Sequence, residues 1–170
     1  MLRATEIIPA GSWPRESAVD HIALDHDARH RRRFLYVAEA GTEFLLDLPR
    51  ATLIHDGDGL KLDDGRIILV SAAPEALIEV TAGDAAQLVR LAWHIGNRHL
   101  PAQLGEDRIL IRHDHVIVAM LQGLGATTRA LAAPFTPESG AYAGGHAHGS
   151  HAHDEPGGAT NFVYVAGHGH

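Results

Sequence analysis

Cysteine is absent from the 170 residues, and that single absence removes disulfides, thiolate metal sites and cysteine nucleophiles together. Any metal the chain holds must be bound by nitrogen and oxygen. Long apolar runs are also missing: no stretch approaches the roughly 20 residues of a membrane helix. The opening residues, MLRATEIIPAGSWPRE, lack the apolar core of a secretory signal, so a cytoplasmic location is expected. Basic residues are few: 14 Lys and Arg against 21 Asp and Glu give a formal charge of -7, which argues against nucleic acid as a main partner. The local exception, RHRRR at residues 29–33, reads as the solvated face of an edge strand. No zinc-protease His-Glu-x-x-His motif, phosphate-cradling glycine loop or nucleophile elbow is present, and no enzyme chemistry is expected.

Histidine is abundant instead. There are 14, and His146, His148, His151, His153, His168 and His170 all fall in the last 25 residues. Hydrophobic residues make up 45% of the chain, which suffices for a buried core in one ordinary domain or two small ones.

The first 71 residues show short apolar runs at 34–37, 44–48, 52–54 and 67–70. They are separated by the turn signals Glu39-Ala40-Gly41-Thr42, Asp56-Gly57-Asp58-Gly59 and Asp63-Asp64-Gly65-Arg66. A small β-rich domain with no helix is predicted. Beyond Pro74, residues 76–80 read as a strand. Asp84 caps a helix with Leu88, Leu91, Ala92 and Ile95 on its buried stripe, and Gly96 is placed to end it. Strands at 102–104 and 108–112, a second helix opened by Asp114 and closed by Gly125, and a strand at 127–133 complete the order βαββαβ. That order suggests a ferredoxin-like split βαβ sandwich spanning residues 72–142. From Pro134 periodicity is lost, and residues 143–170 are expected to form a mobile tail. Within it the patch NFVYVA, residues 161–166, reads equally as a docked strand or as disordered chain.

Three histidine groups can bind metal. The tail repeats His-x-His twice in HAHGSHAHDEPGG, and neutral imidazoles suit nickel, zinc and copper. With an ordinary pKa of about 6.5, most of these rings are available at neutral pH and release metal near pH 5. Such a tail takes several metals and selects none. His99 follows the first helix in WHIGNRH, where it is either an exposed structural residue or a ligand pointing away from the body. His113-Asp114-His115 joins a strand to the second helix: either both rings grip one ion with Asp114 steadying one of them, or Asp114 is a plain N-cap between exposed histidines. His21, His26, His30 and His55 read as surface residues, with only the weak His26-x3-His30 spacing among them.

The runs WHIGNRHLPAQL, RHDHVIVAMLQGLGA and APFTPESGAYAGGHAHGSHAH resemble the UreE family of urease accessory proteins, and LDHDARHRRRFLYV and LDLPRATLIHDGDGL are similar to its first domain. The resemblance covers nearly the whole chain. It implies an α+β protein with a β-rich first domain likened to a peptide-binding module, then a ferredoxin-like metal-binding domain that dimerises. It further implies delivery of Ni(II) to urease together with other accessory proteins, one of them a GTPase. His99 corresponds to the family's interface ligand, given once by each subunit; His113 and His115 match secondary metal-binding histidines. The final segment NFVYVAGHGH departs from the family's histidine-rich ending. Zinc or copper is expected to bind as well, and dimers can pair further. Two other functions fit the residues: a general metal buffer without a dedicated client, and a peptide-binding chaperone for which metal is incidental.

Overall fold

A computed structural model describes residues 1–139, so the tail histidines and the 161–166 patch lie outside the described residues. The first part of the chain contains β1 (Leu2–Ile8), β2 (Asp20–Leu24), a single helical turn α1 (His26–Arg29), β3 (His30–Val37), β4 (Glu43–Leu53), β5 (Gly59–Leu62) and β6 (Ile67–Ala72). The second part contains β7 (Pro74–Thr81), α2 (Ala85–Asn97), β8 (Ala102–Leu104), β9 (Ile109–Arg112), α3 (His115–Gly123) and β10 (Thr127–Pro134).

Alternation builds the first sheet. Phe44, Leu46 and Leu48 of β4 point inward and are buried, as are Ile68 and Val70 of β6 and Ile22 and Leu24 of β2. The six strands lie in the order β2-β6-β5-β1-β4-β3. The predicted turns hold, with Gly41, Gly57 and Gly65 at positive φ. Three strands were not anticipated. β1, at the centre of the sheet, carries only Ala4 as a fully buried residue, so its sequence lacks alternation; its place comes from parallel pairing with β4 and antiparallel pairing with β5. β2 and β5 likewise owe their structure to β6, which flanks them both. The runs at 44–48 and 52–54 are one strand, because β3 pairs along both across a bulge near Arg31 and Arg33. The absence of helix is corrected by α1, one turn capped by the Asp25 carboxylate on the Ala28 N–H at 2.7 Å.

The sheet curls until its edge strand β2 meets the β3–β4 turn, and a buried carboxylate holds the meeting point. Asp20 accepts from the N–H groups of His21 at 2.8 Å, Ala40 at 2.9 Å and Thr42 at 3.1 Å. Burial disfavours its charge, but the hydrogen bonds from Ala40, Thr42 and His21 outweigh that effect and hold its pKa below the ordinary value.

The second sheet is wholly antiparallel, in the order β10-β7-β9-β8, and the predicted βαββαβ succession is observed. Ile78, Val80, Ile109 and Ile111 face α2 and α3, where Leu91, Ile95 and Leu121 close the core. The alternate residues Leu77 and Leu110 face the other way and pack with Phe135.

Register then decides geography. Leu77 pairs with Arg112, Pro134 with Pro74, and Ala102 with Ile111. The start of β7, the end of β10, the end of β9 and the start of β8 therefore share one end of the sheet. The C-terminus of α2 and the N-terminus of α3 are brought to the same end by their strands. The first sheet attaches here too. Glu75 accepts from the His26 N–H at 2.8 Å and from Arg112 Nε at 3.0 Å, while Arg112 Nη2 lies 3.0 Å from Asp27. Arg29, 1% exposed, donates to the carbonyls of Ile54 at 3.1 Å and Phe135 at 2.6 Å. The reading of residues 29–33 as a solvated edge is thus right for Arg31, Arg32 and Arg33 and wrong for Arg29, which the fold of α1 turns inward.

Because the Asp20 pKa is depressed, its contribution is complete above the unfolded value of about 3.9 and is lost as pH falls through the folded value. Asp20→Asn is expected to cost about 1–3 kcal/mol at pH 7 in urea denaturation and to flatten the acid limb of the stability curve. An acid limb as steep as the parent's would disprove the role given to this carboxylate.

Candidate metal centre

Helix α2 ends in a Schellman motif. The His99 N–H bonds the Gly96 carbonyl at 2.9 Å, the Leu100 N–H reaches the Ile95 carbonyl at 3.4 Å, and Leu100 and Ile95 share the core. The helix thus runs through Gly96 to Asn97 with Arg98 as C-cap, and Gly96 is not its terminator. The residue in the left-handed position is His99, at φ 56°, and it is the only non-glycine with positive φ among the described residues. Glycine normally fills this seat, since a side chain there costs about 1–2 kcal/mol.

Helix α3 provides the comparison within the same sheet. It closes with the same pair of bonds, Gly125 N–H to Gln122 carbonyl at 2.9 Å and Ala126 N–H to Leu121 carbonyl at 3.0 Å, and Gly125 sits in the left-handed seat at φ 85°. Two equivalent helix ends therefore carry a glycine in one case and an exposed histidine in the other. The seat swings the chain away from the helix axis and presents the His99 ring to solvent.

Asp114 accepts from the Val116 N–H at 2.8 Å and the Ile117 N–H at 3.1 Å, so it is the N-cap of α3. These two bonds hold its pKa below the ordinary value, with smaller contributions from His115 and His113. His113 precedes the cap and His115 is the first helical residue, so the pair does not lie on one extended segment as the spacing suggested. Both are exposed, and they stand at the same end of the sheet as His99. His94 is half-buried, edge-on to Trp93 at 5.0 Å. The last described residues run along β8, where the Thr136 N–H bonds Gln103 Oε1 at 2.9 Å and the Glu138 N–H bonds the Ala102 carbonyl at 2.8 Å. The chain toward the tail thus leaves beside the strand that begins three residues after His99.

His21, His30 and His55 are exposed as expected, but His26 is not: its side chain is 16% exposed at the contact between the two sheets. Asp25 as N-cap makes the His26-x3-His30 spacing a helical one, but the cover over His26 comes from Phe135, far off in the sequence. Among the described residues of one chain, no three His, Asp or Glu side chains stand close enough to hold an ion together.

Comparison with known proteins bears directly on this arrangement. The profile of the UreE urease accessory protein N-terminal domain matches residues 4–73, and that of the C-terminal domain matches residues 75–170. The chain belongs to the UreE family. The urease accessory protein UreE of Chelativorans sp. (strain BNC1) is 54% identical over 155 residues, 91% of this chain and 95% of the relative. That of Beijerinckia indica is 51% identical over 152 residues, 89% and 87% of the two chains, and that of Rhodobacter capsulatus 51% over 153 residues, 88% and 94%. The family resemblance read from the sequence is borne out, and the two profiles divide the chain where β6 gives way to β7.

If the left-handed seat is kept for the ring rather than for the fold, His99→Gly should leave stability unchanged or raise it by up to about 1 kcal/mol, and His99→Val should lower it by about 1 kcal/mol or more. Urea denaturation reads both. A His99→Gly chain clearly less stable than the parent would show that the ring is held for packing.

Proposed function

We propose that the chain carries Ni(II) on a site made by His99 of two copies and releases it to urease during assembly of the urease metallocentre. As a UreE family member the chain is a urease accessory protein, a nickel metallochaperone and not an enzyme. The general metal buffer is not favoured. The observation that carries the site is the exposed histidine in a seat where its sister helix keeps glycine, since strain retained at a surface position marks function.

A two-fold axis suits this geometry. One chain supplies one ring at that position, and a second copy supplies the other, so that the ion is gripped only in the dimer and is released when a partner parts the rings. The face beside His99 supports the pairing: Val89 and Trp93, one turn apart on α2, are 69% and 63% exposed, an apolar stripe of the kind that marks a protein contact. The tail histidines His146, His148, His151, His153, His168 and His170 gather ions, and His113 and His115, at the same end of the sheet, are secondary holding points. Zn(II) and Cu(II) bind the same nitrogen donors.

On this reading the chain divides into a β-rich domain at residues 1–71, a ferredoxin-like metal-binding and dimerisation domain at 72–142, and a histidine-rich tail at 143–170. The strand order β10-β7-β9-β8 with both helices on one face supports the ferredoxin-like assignment. Its partners are the urease apoenzyme and the accessory proteins that include the urease GTPase, and it works in the cytoplasm as a homodimer or a pair of dimers. No helix among the described residues is long and apolar enough to cross a membrane.

Ni(II) titration with mass measurement of the native oligomer tests the proposal. One tight ion per dimer is expected for the parent chain, and none for His99→Ala, which should still dimerise. Trp93→Asp should yield monomers that have lost the tight ion as well. A tight ion surviving in His99→Ala would refute the interface site.

A further inference from the structure

A second pair of histidines lies outside that site. His26 opens α1 and His30 closes it, so the i,i+4 spacing puts both rings on one side of the turn. Their ring centroids are 6.2 Å apart. With metal–nitrogen bonds of about 2.0–2.1 Å, two imidazoles sharing an ion have ring centres roughly 4.5–6.4 Å apart, so the observed spacing lies within that window at its wide end.

The His26 ring is already held. Its Nδ1 lies 3.3 Å from Asp27 Oδ1, and its edge meets Phe135 with centroids 6.1 Å apart. Asp27 is itself anchored by Arg112 at 3.0 Å. A carboxylate on one ring nitrogen places the proton there and leaves Nε2 as a bare donor, the arrangement that orients histidine ligands in metal sites. The His30 ring makes no hydrogen bond or ion pair with any described residue. The carboxylates of Asp25, Asp56 and Glu75 face the guanidinium of Arg29, those of Asp27 and Glu75 face Arg112, and Arg31 Nε donates to the Asp27 carbonyl at 3.1 Å.

We infer that His26 and His30 form a further metal site in each chain, taking one borderline divalent ion such as Cu(II), Ni(II) or Zn(II) with water completing its coordination. Two imidazole nitrogen donors favour these ions over Mg(II) or Ca(II), which prefer oxygen. The site needs no second copy, because one helical turn supplies both rings. It lies where the two sheets meet, against Phe135 and so at the root of the segment that leads to the tail. Ion binding there draws the rings together and ties α1 to the first residue of β3.

The test uses the full-length chain with His99, His113, His115 and the six tail histidines all changed to Ala, titrated with Cu(II) and followed by electron paramagnetic resonance. One ion per chain with two nitrogen donors is expected. Adding His26→Ala or His30→Ala should abolish it, and Asp27→Asn should weaken it by about 10-fold or more. His30 is exposed, so His30→Ala leaves packing intact should His26→Ala disturb the contact with Phe135. Adding His21→Ala or His55→Ala should change nothing. Copper held equally well without His26 and His30, or lost on His55→Ala, would overturn the assignment. Since His99 is absent throughout, the result is independent of the interface site.

Discussion

Glu75 is the residue on which the arrangement of this molecule turns. One of its carboxylate oxygens takes the N–H that opens α1, and the other takes the guanidinium of Arg112 at the end of β9. Arg112 continues the chain of contacts to Asp27 and lies over the Phe135 ring at 5.5 Å. Burial would make any one of these charges costly alone, and their mutual pairing offsets that cost. The buried Arg29 depends on the same cluster: burial pulls its pKa down, and the carboxylates of Glu75, Asp56 and Asp25 sustain its charge. The two sheets are thereby joined at the end where His99, His113 and His115 also stand.

That location follows from antiparallel pairing more than from any property of histidine. Every strand of the second sheet turns over at this end, so the loops carrying His99 and His113-Asp114-His115, the link from the first sheet and the exit toward the tail must meet there. A carrier gains from such convergence. The proposed holding points would then lie within one region of the molecule. Loops at the ends of rigid elements are also where strain can be kept without loss of the core, and the His99 seat shows this: the Ile95–Leu100 contact closes the helix whichever residue stands between them.

Nickel selectivity does not come from imidazole donors by themselves, since the same donors hold copper more tightly. What the protein adds is geometry. On the proposed reading, a site shared by two copies would bind only in the assembled form, and a site within one helical turn would bind in either form. The two would respond differently to a partner that separates the copies.

Much of this was legible in the sequence. The absence of cysteine fixed the donor chemistry, alternation and turn residues located half the strands of the first sheet, and helical spacing with Asp84 and Asp114 as caps located both long helices. The run WHIGNRH singled out His99, and its similarity to the UreE family named the function. Local pattern could not show β1, whose pairing partners are distant in the chain, nor that Arg29 turns inward while Arg31 to Arg33 stay in solvent. It could not show that His99 stands in a left-handed seat, because that conformation is set by the core contact of Leu100 with Ile95. Nor could it place His26 against Phe135, a contact between residues over a hundred positions apart. Sequence determined which chemistry was available; the pairing of distant strands decided which of those residues meet.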